Sequence, residues 1–189
     1  MKTFLSAFVV ILLLAVQPIG AVSILQMDLA DLSDRADKIF RGKVVDFETS
    51  TVQVGGSELP IVVYTMAVEE ALKGSFDGKG VVEIRMFGSK EGLVPVSGTI
   101  SKFPLLSGQP AMQVGEDYLL FTTQPSTIGL STTVGLGHGC FHISEVEKQE
   151  MAVNEYDNAG VFDSLSGLPA SGPVLYSSLV QEINNTLAQ

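Results

Sequence analysis

Ile61-Val-Val-Tyr-Thr-Met-Ala-Val68 is dominated by branched and aromatic side chains, the composition of a strand on a pleated, packed surface. The strand reading extends to both sides of it. Val45 and Phe47 alternate with Asp46 and Glu48, while Val82, Ile84 and Met86 alternate with Glu83 and Arg85. Gly55-Gly56-Ser57 separates the first two runs as a hairpin turn does, and the glycine-punctuated stretch from Lys73 to Gly80 separates the second from the third. A fourth strand fits Tyr118-Leu-Leu-Phe-Thr122, entered through Gly115-Glu-Asp117, and a fifth fits Cys140-Phe-His-Ile143. Val45, Phe47, Ile84, Leu120 and Phe121 are the expected core.

Helical patterns flank these strands. Leu29, Leu32 and Ala36 stand at i, i+3 and i+7, which predicts a short helix with Asp28 near its N-cap. Its aspartates, Asp28, Asp31, Asp34 and Asp37, step about 60° round the axis and so form a solvated acidic face, not the looped D-x-D-x-D-G of a calcium site. At the other end, Ser171 and Pro173 supply start signals, and Leu175, Leu179, Ile183 and Leu187 recur every four residues, predicting a terminal amphipathic helix. The stretch Glu145 to Gly172 before it reads as an acidic, turn-rich linker.

The segment from Gly88 to Gly115 breaks the pattern. It holds five glycines and three prolines yet stays apolar, which is unusual for a solvated loop. It is expected either to cover the strands or to meet a partner, and Leu93, Val94, Val96, Phe103, Leu105 and Leu106 are its candidate partner-binding residues.

Met1 to Ala21 has the form of a secretory signal peptide: Lys2, an apolar run from Phe8 to Val16, and the small residues Gly20 and Ala21 at the end. The run is too short to cross a bilayer, which takes about 20 apolar residues as a helix. Export to the periplasm or the medium is therefore expected, with a mature N-terminus near Val22 and no stable membrane insertion after cleavage. The net charge is −10, and becomes −11 when Lys2 is removed, so nucleic acid and anionic lipid are poor partners. The acidity suits solubility, a basic partner or divalent cations. Cys140 is the only cysteine, which rules out an intramolecular disulfide and leaves stability to packing.

Four segments carry a resemblance: Leu29-x-x-Leu32-x-x-x-Ala36-Asp37-x-Ile39-x-x-Gly42-x-Val44, Val68-Glu-Glu-Ala-Leu-Lys-Gly74, Val114-Gly-Glu-Asp-Tyr-Leu-Leu-Phe121 and Gly135-Leu-Gly-His-Gly-Cys-Phe141. Together they resemble exported bacterial proteins whose domain is similar to the OB-type barrel of tissue inhibitors of metalloproteinases (TIMP/netrin-like). The resemblance implies a mainly β fold: a small antiparallel OB-like β-barrel opened by an N-terminal helix and closed by a C-terminal amphipathic helix. It does not imply the inhibitors' mechanism, in which an N-terminal cysteine meets the protease zinc, because here no cysteine lies near the mature N-terminus. The expected organisation is a signal peptide over 1–21, a barrel domain over 22–144 with the apolar loop at 88–115, and a linker and helix over 145–189.

The chemistry-bearing residues are few. His138, Cys140 and His142 stand at i, i+2 and i+4, which on an extended strand share one face, and all three are zinc or copper ligand types. The competing reading is a tight glycine-rich turn into a core strand, with Cys140 a small buried residue. No Gly-x-Ser-x-Gly elbow is present, so hydrolase chemistry has no motif. Glu69 and Glu70, and Glu116 and Asp117, are sequence neighbours that point to opposite faces of a strand and read as solvated strand ends. Gly135-x-Gly137-x-Gly139 lacks the following Lys-Ser/Thr of a phosphate loop. No cofactor is expected. The favoured function is an exported, non-enzymatic binding module for a protein or extended ligand. The rivals are a metal protein built on His138, Cys140 and His142, and a protease-inhibitor-like protein lacking the N-terminal cysteine mechanism.

Overall fold

The computed structural model describes residues 27–189 apart from 79, 97, 164 and 166. The signal-like segment over 1–21 lies outside the described residues. Helix α1 (Leu29–Arg35) is followed by two long strands, β1 (Lys38–Val54) and β2 (Ser57–Lys73), then β3 (Val81–Phe87). A small hairpin of β4 (Leu93–Val96) and β5 (Thr99–Lys102) precedes β6 (Asp117–Thr122), β7 (Cys140–Val146) and β8 (Gln149–Asn154). A two-residue β9 (Val174–Leu175) leads into α2 (Tyr176–Leu187). The fold is mainly β. Seven strands form one antiparallel sheet in the order β3-β2-β1-β6-β7-β8-β9, with β4 and β5 paired apart from it. The sheet is open, its edge strands β3 and β9 being unpaired with each other. No helix among the described residues is long and apolar enough to cross a membrane.

Central strands bury both faces, so their sequences are continuous apolar runs. Successive residues point to opposite sides: Ile39, Leu119, Phe121 and Phe141 join Leu29, Leu32, Leu179 and Ile183 in a core under the two helices. Phe40, Val44, Tyr64, Met66, Ile84 and Leu120 form a second core on the other face. Helix α1 is placed as its pattern predicts: Asp28 accepts a hydrogen bond from the Asp31 N–H at 2.8 Å and Leu29 and Leu32 are buried. In α2 the buried stripe is Tyr176, Leu179 and Ile183, while Leu175 and Leu187 at the ends of the expected repeat are partly exposed. Val174 and Leu175 form β9, paired with Ala152 and Met151, so the helix begins at Tyr176 and not at Pro173.

Of the expected core, Ile84, Leu120 and Phe121 are fully buried, and Phe47 is half-buried beside the Tyr64 ring. Val45 is not core; it is 47 % exposed. In β1 the pairing jumps from Val44 opposite Met66 to Asp46 opposite Thr65, leaving Val45 as the extra residue of a β-bulge and Val44 in the core instead. A second irregularity falls at Gly42, where a β-carbon would come within 2.7 Å of the Ala67 carbonyl oxygen, so only glycine admits β2 at this distance.

The expected linker over 145–172 contains real structure. Val146 pairs with Gln149 across a two-residue turn whose members, Glu147 and Lys148, both take left-handed φ values of 50° and 65°. Beyond β8, Asn154 and Asn158 lock the chain: Asn158 Oδ1 accepts from the Asn154 N–H at 2.8 Å, and Asn154 Oδ1 accepts from the Asn158 N–H at 2.8 Å.

Candidate binding cleft

The turn into β7 is Gly135-Leu-Gly-His-Gly139. Gly135 and Leu136 take left-handed φ values of 62° and 57°, and Leu136–Gly139 then closes a single 3-10 turn. Gly137 lies under Glu155 and Tyr156: a β-carbon there would stand 2.7 Å from Glu155 Oε2 and 2.9 Å from Tyr156 Cε2. At Gly139 one would run into the Val134 carbonyl. The three glycines thus serve packing of neighbouring segments, each for its own reason.

The turn separates the three residues expected as metal ligands. His138 is buried within it, its Nδ1 3.2 Å from the Gly135 carbonyl and its ring stacked on Tyr156 at 4.4 Å. Cys140 and His142 lie on β7 opposite Leu120 and Tyr118. The His142 ring packs on Tyr118 at 5.4 Å, with Nε2 2.9 Å from a Glu116 carboxylate oxygen. Strand parity therefore holds for Cys140 and His142 and fails at His138, where the 3-10 turn breaks the period of two. Among the described residues no three His, Cys, Asp or Glu side chains gather as a group able to hold a metal ion.

Cys140 and His142 share a cleft of about 340 Å³ with Tyr118 from β6. Its opposite sides come from Pro110, Ala111 and Met112 at the end of the apolar excursion and from Gly137, Val153, Asn154 and Glu155. Most of its polar groups are already engaged. Asn154 Nδ2 donates to the His138 carbonyl at 3.2 Å, and its Oδ1 accepts from the N–H groups of Tyr156 and Asn158. The Tyr118 hydroxyl accepts from the Gln113 N–H at 3.1 Å. Burial, followed by the nearby Glu155 charge, pushes the Cys140 thiol up from its ordinary range. No hydrogen bond joins that thiol to His142 among the described residues. With its pKa raised in this way, the thiol is disfavoured as a thiolate, the form in which a cysteine acts as a nucleophile. Beneath it, the fully buried Tyr64 hydroxyl lacks a well-formed hydrogen bond; burial pushes its pKa up to about 12, with the Met112 backbone pulling the other way.

No protein-family model and no curated protein matches this chain.

The excursion over 88–115 divides between two roles. Val94 is buried, Val96 half-buried, and Leu93 lies in β4. Phe103 is half-buried edge-on to Phe87 at 6.1 Å, and Leu105 packs against the second core. Leu106 is 52 % exposed, as is Ile100 at 74 % on the β4-β5 hairpin. The fold-back is fixed by backbone bonds from Ser89 N–H to the Phe103 carbonyl at 2.7 Å and from Phe103 N–H to the Gly92 carbonyl at 2.9 Å. Lys90 adds a bond from Nζ to the Met112 carbonyl at 2.8 Å. The stretch is thus anchored along most of its length, and its last residues become a cleft wall.

Charged residues on β1, β2, β6 and β8 form a separate network. The Arg41 guanidinium makes a two-pronged contact with Glu150 at 2.7 and 3.0 Å, pairs with Glu69 at 3.3 Å and Asp117 at 3.4 Å, and lies over the Tyr176 ring. The Tyr176 hydroxyl donates to Glu70 at 2.7 Å. Glu69, Glu70 and Asp117 are therefore partners in a cross-strand tie to α2 and not merely solvated strand ends, while Glu116 alone faces the cleft side through His142. Strand parity in the sequence puts Cys140 and His142 on one face, and both line this cleft. Pro110 to Met112 carry no periodic signal in an irregular segment, and Val153 to Glu155 come alongside only through the β7-β8 pairing.

Proposed function

We propose that this chain is an exported, non-enzymatic binding protein that receives its ligand in the cleft between the end of the 88–115 excursion and the Gly135–Gly139 turn. The observation that carries this reading is a concave, mainly apolar site whose few polar groups are held in place by buried hydrogen bonds, which is the form of a ligand pocket. The signal-like segment supports export. An OB-like barrel is the finer fold reading: the β1–β2 pairing shifts register three times, with Leu72 and Glu69 of β2 and Val45 of β1 as the extra residues, and Ser131 reaches the free edge of β3, its N–H donating to the Arg85 carbonyl at 2.9 Å.

Two measurements test this. A nitrogen-15 spectrum of the protein taken against a chemically mixed fragment set should show shifts gathered at Ala111, Met112, Cys140, His142 and Glu155, and Ala111→Trp, which fills the cleft from an exposed position, should abolish them. Shifts scattered over the surface, or a response unchanged by Ala111→Trp, would contradict the reading. Intact-mass analysis of protein recovered outside the cytoplasm should give an N-terminus near Val22; an intact Met1 would contradict export.

A further inference from the structure

The cleft walls are apolar, with Met112, Tyr118 and Val153 offering carbon surface on three sides. At the small end of the range for ligand pockets, about 340 Å³ admits a slender guest more readily than a multi-ring one. Its polar capacity is narrower still. Asn154 and the Tyr118 hydroxyl are engaged within the protein, and His142 is bonded to Glu116. Glu155 is exposed and, among the described residues, paired with no cation. Lys and Arg are missing from the lining, and Lys90, which touches the back of the Met112 wall, is held by that residue's carbonyl and by the face of Phe47 at 4.8 Å. An anion entering here would meet Glu155 and a chain of net charge −10, whereas a cation would gain a charge-assisted contact with the carboxylate that a neutral guest lacks. Gly137 completes the arrangement, because its missing β-carbon leaves the space in which Glu155 rests.

We infer that the cleft takes an aliphatic stem ending in a cation, with the carbon chain against Met112, Tyr118 and Val153 and the cation at the Glu155 carboxylate; this rests on the reading of the cleft as the binding site. Two sources carry that chemistry, a free alkylamine and the side chain of a lysine.

The test is a titration of the full-length mature protein, followed by nitrogen-15 spectra at fixed ionic strength, with n-pentylammonium, pentan-1-ol and hexanoate as matched cationic, neutral and anionic probes. Pentylammonium should shift Ala111, Met112, His142 and Glu155 and bind about tenfold more tightly than pentanol, the margin of one charge-assisted contact partly screened by water. Hexanoate should bind more weakly than pentanol. In Glu155→Gln, which keeps the shape and removes the charge at an exposed position, the cation preference should vanish. N-acetyl-lysine methylamide binding more tightly than pentylammonium identifies a polypeptide source, and weaker binding identifies a free amine. Pentanol or hexanoate binding as well as the amine, or a preference retained in Glu155→Gln, overturns the inference while leaving the cleft as the binding site. No cleft shift with any of the probes overturns both.

Discussion

Asn158→Ala is the substitution whose cost the structure specifies most fully. Asn158 has no exposed surface, and its side chain accepts from the Asn154 N–H at 2.8 Å and donates to the carbonyls of Ala152 at 3.0 Å and Gly172 at 2.8 Å. Alanine leaves all three partners without a bond. Two of them are buried, and an unsatisfied buried group costs about 1–3 kcal/mol, while Gly172 lies where water can reach it. The backbone adds to this, since Asn158 has φ 57° and an alanine in left-handed geometry costs about 1 kcal/mol more than asparagine. The expected loss is about 3–7 kcal/mol, a large part of the roughly 5–15 kcal/mol that holds a typical domain folded. Urea denaturation followed by circular dichroism reads this directly, and Asn158→Gly separates the parts, because it relieves the backbone cost and keeps the lost bonds. A loss below about 1 kcal/mol for alanine, or full recovery with glycine, would refute the view that this side chain ties β8 to the segment at Gly172.

Phe121→Ala, at a residue with no exposed surface and a ring 5.8 Å from that of Phe141, should cost about 3–5 kcal/mol by the same assay, and an unchanged midpoint would show the core to be misassigned. The Arg41 hydrogen bond holds Glu150 below the ordinary carboxylate range, so its folded pKa lies under its unfolded one; the pair's contribution is present above about pH 4.5 and is lost as pH falls through the folded value. Glu150→Gln should therefore flatten the acid limb of a stability-pH profile, modestly because the carboxylate is half-exposed. All four tyrosines are shifted upward, chiefly by burial, so tyrosinate absorbance in the native protein should rise only above pH 10, and a normal titration at pH 10 would contradict the burial of Tyr64 and Tyr176.

The strands were legible where burial is regular. Leu119, Leu120 and Phe121 are apolar in succession because both faces of β6 are covered, and Ile84 and Met86 alternate because one face of β3 is wet. Val45 misled because a bulge adds one residue without any mark in composition, moving the core position to Val44. The β7-β8 hairpin was hidden for a different reason: Glu147 and Lys148 occupy turn positions that normally take Gly or Asn, and nothing in their side chains announces left-handed backbone. Cys140 and His142 emerged from strand parity, a local property. Glu155 reaches the same cleft through the β7-β8 hairpin and Met112 through the folding back of the 88–115 segment, neither of which residue periodicity encodes.

On the proposed reading a ligand enters the cleft beside Cys140. The labelling rate of this single thiol in native protein, measured with iodoacetamide free and at increasing fragment occupancy, tests that most directly. Labelling should be slow in the free protein, because the thiol is buried and its pKa raised, and should slow further in proportion to occupancy, with Ala111→Trp giving the same protection without a ligand. A rate unaffected by saturating fragment and by Ala111→Trp alike would contradict the claim.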